Sequence, residues 1–347
     1  MGEDLGERDH MQQQKHILVI RLSAMGDVAM LIPVIYAFAK AYPETKITFL
    51  SKPFFKSIID TLPNVHFVAA KTKDVHKGIG GIWKLSRELK SLGITHVADT
   101  HNVLRSKLLR TFLGLPSARI EKGREEKKAL TQANNKVFEP LKTTIQRYVD
   151  VFETLGFTDI KPEIVPEPIP QDAVIKLLLD KDGKKVGIAP FAAHQGKQYP
   201  LDLMKEVIQE LDKQSAIHLF LFGAPNEKEI LTTLIDGCKN ATVVAGMLKF
   251  PEEINLISQL NGMLSMDSGN GHLAAMYDVP TVSVWGVTHP YAGFAPFKQE
   301  ANCLLSDRVQ YPAIPTSIYG NKVPEGYEDV MRTILPETIV TKMISSI

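Results

Sequence analysis

Three loops in this 347-residue sequence place small residues beside a charged or ionisable side chain, each after a run that reads as a buried strand. The first is Leu22-Ser-Ala-Met-Gly-Asp27. Gly26 lets the backbone turn tightly from strand to helix, and Asp27 falls at or near the helix start. Its carboxylate is either a cap, since aspartate is among the best capping residues, or a proton acceptor at the mouth of a cleft. The second loop is Asp267-Ser-Gly-Asn-Gly-His272, between the strand Gly262–Met266 and a helix beginning with Leu273. Ser268, Gly269, Asn270 and Gly271 leave backbone N–H groups free at a positive helix end, a setting that suits phosphate. His272 is then a ligand for a sugar or phosphate oxygen, or a buried histidine satisfied by backbone. The third loop runs from Ile188 to Pro200. A lysine just before a helix is unfavourable for the helix dipole, so Lys197 reads as a diphosphate partner or as a solvated surface residue.

Two weaker patterns accompany these loops. Glu227, in Phe222-Gly-Ala-Pro-Asn-Glu227, is either a ribose ligand or a first-turn helix charge. Asp99-Thr-His-Asn-Val-Leu-Arg105-Ser106 opens a helix that carries Lys107 and Arg110. With Lys84, Arg87 and Lys90 these give a basic face, suited to an acidic acceptor or an anionic membrane surface, or simply the solvated side of crossover helices. No set of His, Cys and carboxylates has metal-ligand spacing, so a metal-free mechanism is the simpler expectation.

The elements that hold these loops are short apolar runs alternating with amphipathic segments of helical length, the signature of parallel α/β sheets. His16–Arg21, Lys46–Leu50, Val65–Ala69 and Thr95–Ala98 read as strands of a first half. Helices are expected from about Asp27 to Tyr42, around Trp83–Leu92, and from Val103 to Leu113 before Gly114 and Pro116. Lys161–Pro170 holds four prolines in ten residues and marks a stiff boundary. Beyond it, Lys185–Ala189, His218–Phe222, Thr242–Ala245, Gly262–Met266 and Thr281–Trp285 repeat the pattern, and Pro336–Ile347 reads as a terminal helix. The expected organisation is a polar start at 1–15, a first domain at 16–165, a second at 171–330 and a closing helix at 331–347. Two such halves leave a cleft outside the carboxyl ends of their strands, where ligands of open α/β sheets bind.

Composition narrows the chemistry further. Forty basic residues against 39 acidic ones, for a net charge of +1, are not the footprint of a nucleic-acid binder. Two cysteines, Cys238 and Cys303, make no disulfide framework and point to a reduced, cytoplasmic setting. The start, Met1–Lys15, is unlike a secretory signal. The longest apolar stretch, Val28–Ala39, is too short for a membrane span of roughly 20 residues. A dinucleotide site needs G-x-G-x-x-G after the first strand and an acid after the second. The first loop has one glycine and Leu50-Ser51-Lys52 offers no acid. A P-loop motif is missing as well, so hydride transfer and nucleoside-triphosphate hydrolysis lose support.

Taken together, the motifs resemble glycosyltransferase family nine, the ADP-heptose:lipopolysaccharide heptosyltransferases. The resemblance rests on Ile17–Asp27 with the following Pro33 helix, Asp99–Ser106, and Gln146-Arg-Tyr148 before Leu155-Gly156. It continues with Gly187–Pro200, Phe222-Gly-Ala224, Asp267–Ala275 and Val279–Pro290, in family order across most of the chain. It implies a GT-B fold, two Rossmann-like domains with parallel sheets facing a central cleft, and a last helix crossing back to the first domain. It further implies an inverting, metal-independent transfer with no cofactor beyond a nucleotide-sugar donor, ADP-heptose. The acceptor, an anionic lipid-linked oligosaccharide of the lipopolysaccharide core, would bind the first domain through residues such as His101 and Arg105, at the inner face of the cytoplasmic membrane. By position, Asp27 matches the family's proposed base and Lys197 its phosphate lysine. Asp267, Ser268, Gly269 and His272 match the loop holding the diphosphate and donor sugar, and Met247 lies where backbone receives adenine. Ala192 and Ala193 stand where some relatives carry hydroxyls, leaving His194 or Gln195 to replace them. Gly123–Lys136 and the polar start have no counterpart.

In such a transfer the acceptor hydroxyl attacks the anomeric carbon opposite the leaving diphosphate, through an oxocarbenium-like transition state. Asp27 takes the proton, while Lys197 and the loop amides stabilise the departing charge. Closure of the two halves around the donor is expected. The rival readings are a sugar-nucleotide epimerase of the same architecture, which needs no acceptor, and a non-catalytic nucleotide-sugar-binding protein.

Overall fold

The computed structural model describes residues 15–163 and 165–347; residues 1–14 of the polar start lie outside the described residues. In the first half, β1 (His16–Ile20), β2 (Lys46–Ser51), β3 (Val65–Ala69), β4 (His96–Asp99) and β5 (Ser117–Arg119) form a parallel sheet ordered β3-β2-β1-β4-β5. The helices between them are α1 (Met25–Ala41), α2 (Lys56–Ile59), α3 (Gly78–Lys90) and α4 (Leu104–Leu113), followed by α5 (Arg124–Thr131) and α6 (Thr144–Thr154). β1 and β2 are almost wholly buried, as expected of parallel strands covered by helices on both faces.

The second half opens with α7 (Ala173–Leu179) and continues β6 (Lys184–Ala189), α8 (Leu201–Asp212), β7 (Ile217–Leu221), α9 (Lys228–Leu234) and β8 (Ala241–Val243). It then runs α10 (Phe250–Ser258), β9 (Gly262–Met266), α11 (Gly269–Ala275), β10 (Thr281–Trp285), β11 (Cys303–Leu305) and α12 (Pro336–Ser346). Its parallel sheet has the order β11-β10-β9-β6-β7-β8. Strand order reverses between β1 and β4 in one sheet and between β6 and β9 in the other. The loops after these four strands are the ones that carry Asp27, His101, Lys197 and the Asp267–His272 segment, so the chemistry sits at the switch points where crevices form.

The apolar stretch beginning at Val28 finds its explanation here. Every residue from Val28 to Phe38 is buried, and a helix apolar on all sides is buried on all sides. α1 packs on α6 and on α11 of the other domain, and shares a core with Ile17, Val19, Ile47 and Phe49 of its own sheet. Val28, Leu31 and Ile35 share one continuous core with Ile254, Leu273 and Ala274. No helix among the described residues is long and apolar enough to cross a membrane.

The boundary segment is tacked down: Ser258 Oγ accepts from the Ile169 N–H at 3.1 Å, and Asn255 Nδ2 donates to the Pro170 carbonyl at 3.1 Å. The terminal helix departs from expectation. α12 packs on α8, β9 and β10, with Ile339 and Met343 in the core of the second domain. Its apolar stripe is completed by that sheet, so it does not cross back to the first domain. The sequence reading also missed β5, whose three residues Ser-Ala-Arg carry no periodicity, and the short edge strand β11.

Candidate active site

The α1 start holds the first component. Its N-cap is Ala24, and Asp27, three residues on, reaches back so that its Oδ2 accepts the Ala24 N–H at 3.1 Å. The same Oδ2 pairs with Arg21 Nη2 at 2.5 Å. Among the described residues Oδ1 carries no hydrogen bond, and Asp27 lines the interdomain cleft. The capping reading holds through one oxygen, and the carboxylate also stands on the cleft, where the proton-acceptor reading requires it. Arg21 is buried, and its Nη1 donates to the Thr100 carbonyl at 2.6 Å. Burial works against the Arg21 charge, but Tyr148 and Asp27 more than restore it and hold the guanidinium above its ordinary value. The Tyr148 hydroxyl donates to the Asp27 carbonyl at 3.2 Å.

Across the cleft, Lys197 ends a short 3-10 turn and its Nζ lies 2.7 Å from Asp267 Oδ2. Thr288 Oγ1 donates to that same oxygen at 2.9 Å. One oxygen of Asp267 thus ties Lys197 to Thr288. Two buried polar atoms, Ser268 Oγ and His272 Nδ1, have no partner among the described residues; unsatisfied groups of this kind are expected to gain partners from water or ligand. Burial lowers the His272 pKa, against the opposing pull of Asp267 and Asp27, so the ring is neutral near pH 7.

The two helix starts meet. A Cβ on Gly26 would stand 2.7 Å from His272 Cδ2, and one on Gly269 would collide with Met25 Cε. Gly26 has ordinary helical backbone, so it is close approach to His272, more than turn geometry, that requires glycine there.

A cavity of about 720 Å³ spans this junction, lined by Asp27, Lys197, Asp267, Ser268, Gly269 and His272. Its wall on the first domain is cationic. Lys122, Arg124, Lys127 and Lys128, from the α5 region, line it together with Arg21 and Arg147. Burial and then Arg147 bring the Lys127 pKa down to about 8, and its Nζ lies 4.3 Å from the ring centre of Phe294 in the other domain. Arg147 is fixed by ion pairs to Glu121 and Glu126. Among the described residues no three His, Cys, Asp or Glu side chains gather as a metal-binding group.

Other expected site residues lie elsewhere. His101 is buried, its Nδ1 accepting from the Leu22 N–H at 3.4 Å and its Nε2 3.4 Å from Ser23 Oγ. Burial, reinforced by Arg21, brings its pKa to about 3. It braces the turn before Asp27 and does not line the cleft. Arg105 is also off the lining, and Arg110 is taken up by buried Asp99 at 2.9 Å. Glu227 closes its own turn, its Oε2 accepting the Ala224 N–H at 2.6 Å, and it is off the lining of the cavity. Met247 is exposed, outside the cavity, on a turn that abuts the Glu227 turn through Gly246 and Pro225. Asn270 and Gly271 are off the lining, and Gly271 is the point where α11 presses on Ser265 of β9. Of the candidate substitutes for the missing hydroxyls, His194 lines the cavity and Gln195 does not.

Sequence reasoning missed Arg21, Thr288 and the α5 cations. A charged residue ending an apolar strand was the available signal for Arg21. The α5 lysines look like any solvated helix until the tertiary fold turns them inward.

Residues 82–319 match the family described as Glycosyltransferase family 9 (heptosyltransferase). The lipopolysaccharide core heptosyltransferase OpsX of Haemophilus influenzae is 23% identical over 286 residues, covering 80% of each chain. Lipopolysaccharide heptosyltransferase 3 of Escherichia coli is 25% identical over 280 residues, covering 76% of this chain and 80% of the relative. A family 9 glycosyltransferase from Veillonella parvula superposes with a TM-score of 0.76 at 18% identity, over 94% of this chain and 96% of that one. E. coli ADP-heptose lipopolysaccharide heptosyltransferase II gives 0.66 at 18% identity, over 94% and 97%. These two structures share the fold, two parallel-sheet α/β domains in the GT-B arrangement. With the family pattern covering well over half its length, the chain is a member of glycosyltransferase family 9, the heptosyltransferases.

Proposed function

We propose that this protein moves a heptosyl unit from ADP-heptose onto a lipopolysaccharide core acceptor, with inversion at the anomeric carbon and without a metal ion. One observation carries the reading: Asp27 of the first domain and Lys197 of the second line the same cleft. The names of the relatives supply the sugar and acceptor class.

The acceptor hydroxyl approaches from the first domain and gives its proton to Asp27 Oδ1 as its oxygen bonds to the anomeric carbon. The bond from that carbon to the diphosphate oxygen breaks on the opposite face. Arg21, held by the Thr100 carbonyl, keeps the base in place through Oδ2. Lys197 meets the charge gathering on the leaving diphosphate, with Thr288 still holding Asp267 when the lysine shifts its contact. Ser268 Oγ, His272 Nδ1 and the free amides of Ser268 and Gly269 supply neutral donors. His194 stands in for the missing hydroxyls. The adenosine end extends toward the adjoining turns of Glu227 and Met247. On the other side, Lys122, Arg124, Lys127 and Lys128 face the anionic groups of the acceptor, the place that His101 and Arg105 were expected to fill. The cytoplasmic face of the inner membrane is where such an acceptor is met.

An epimerase needs no acceptor and has no use for this cationic wall. The decisive experiment incubates the protein with ADP-heptose and a purified core acceptor, and follows both by mass spectrometry and NMR. A heptose-sized mass gain on the acceptor with inverted anomeric configuration is expected. Interconversion of the donor without acceptor, or ADP binding with neither transfer nor hydrolysis, would sink the reading.

A further inference from the structure

One surface remains unused by the site. The buried side of α3 is Ile82, Leu85, Ser86 and Leu89, which leaves the stripe Ile79, Trp83 and Arg87, one turn apart, on its outer side. Ile79 is 66% and Trp83 55% exposed, and Leu104, the first residue of the neighbouring α4, is 75% exposed. Large side chains are seldom left in water in a cluster without a partner. The segment that carries this one is strongly basic. Residues 71–92 hold six Lys or Arg against two acids, and one of these, Glu88, already pairs with His76 at 3.1 Å. The Arg87 guanidinium lies 5.7 Å from the Trp83 ring centre, so a cation stands beside the exposed indole.

Tryptophan, isoleucine and leucine rimmed by lysine and arginine match the chemistry of a bilayer interface, where indole sits among headgroups and cations meet anionic phosphates. α3 and α4 both follow strands of a parallel sheet, so their first turns, with Ile79 and Leu104, lie at the strands' carboxyl edge. That is the edge on which Asp27 opens to the cleft. We propose that the outer face of α3, with the first turn of α4, rests on an anionic lipid surface and holds the cleft mouth close to it. The placement adds to the proposed transfer to a lipid-linked acceptor, but the surface stands on its own residues.

The test is vesicle binding by the full chain, with neither donor nor acceptor, so its outcome is separate from that of the transfer assay. Vesicles of phosphatidylcholine alone are compared with vesicles containing phosphatidylglycerol. The protein carries two tryptophans, Trp83 and Trp285, and Trp285 is buried in β10, so a change in emission reports on Trp83. Co-sedimentation with the anionic vesicles only, a blue shift of emission, and loss of both in about 0.5 M salt are expected. Ile79→Ser with Leu104→Ser, which keeps the reporter, is expected to lower partitioning about tenfold, as is Lys84→Glu with Arg87→Glu, with the melting temperature in ADP unchanged. Equal binding to neutral vesicles, sedimentation without an emission shift, or variants that partition like the parent would each overturn the assignment.

Discussion

Replacing Asp27 by Asn separates proton transfer from everything else this residue does. The amide is nearly isosteric and its oxygen can still accept from the Ala24 N–H and from Arg21, so the α1 start keeps its shape. What disappears is a base and a negative charge. A positioned general base contributes about 10²- to 10⁴-fold, equivalent to about 2.7–5.4 kcal/mol at 1.36 kcal/mol per decade. Turnover should therefore fall at least about a hundredfold. The lost charge has a second consequence, because Arg21 is buried and Asp27 is its ion-pair partner at 2.5 Å. Breaking a buried pair costs about 3–5 kcal/mol. Here the Thr100 carbonyl and the Tyr148 ring, 5.8 Å from the guanidinium, remain, which reduces the penalty to about 1–3 kcal/mol. At about 2–4 °C per kcal/mol for domains of this size, the melting temperature should drop by several degrees. Donor affinity should be unchanged, since Lys197 and the α11 loop are untouched. Initial rates, calorimetric titration with ADP and a thermal melt measure the three quantities independently. Turnover within a few-fold of the parent would remove Asp27 from the chemistry. A large loss of ADP affinity would instead mean that the variant disturbs the opposite domain through the Gly26–His272 contact.

Three further outcomes follow from the same geometry. Lys197→Ala should weaken ADP binding by about tenfold or more, the loss of a charge-assisted contact, and should lower stability by leaving Asp267 buried without its cation. Adding Asp267→Asn should recover stability but not affinity, and unchanged ADP affinity in Lys197→Ala would rule out its phosphate role. Gly26→Ala puts a methyl 2.7 Å from the His272 ring; a stability loss of about 1–3 kcal/mol together with reduced turnover is expected, and a parent-like melt and rate would mean the two helix starts do not meet this closely. The protein should also be acid-labile. Burial brings His101 to about 3 and His289 to about 4, so between these values and about 6.5 the unfolded chain binds more protons than the folded one. Stability then falls with falling pH. From pH 7 to 5.5 the loss should be about 1 kcal/mol for each ring, to be read from urea unfolding at the two pH values; a flat profile would show that the rings accept protons without unfolding.

Much of this molecule was legible in one dimension because its signals are local. Parallel strands buried on both faces must be short apolar runs, and they were placed to within a residue or two along β1, β2, β6, β9 and β10. Gly-Asp at one helix start and Gly-Asn-Gly-His at another are turn chemistry, readable from residue type. α1 stood out as apolar all round, although its length argued only against a membrane span and did not reveal that the other domain covers it. β5 and β11 escaped because three residues show no period of their own, whereas β8, equally short, is marked by the buried Val244 and Ala245 that follow it. α12 was assigned to the wrong domain because an amphipathic stripe says that it packs and never says on what.

Which oxygen of Asp27 is free, and what keeps it so, is a different kind of fact. It depends on Arg21 at the end of β1 meeting the carbonyl of Thr100 after β4, residues 79 positions apart. In the same way Thr288 holds Asp267, which holds Lys197, and α5 folds its cations against the first domain's side of the cleft. His101 was expected at the acceptor and braces the turn before Asp27; Glu227, open to a ribose or a helix-start role, closes its own turn off the cavity lining. Residue type and spacing determined the strands, the turns and the list of groups able to do chemistry, because those follow from contacts within a few residues along the chain. The tertiary structure alone decided which of those groups share one cavity and which are consumed in holding it open, because burial and ion pairing are settled between segments that the sequence keeps far apart.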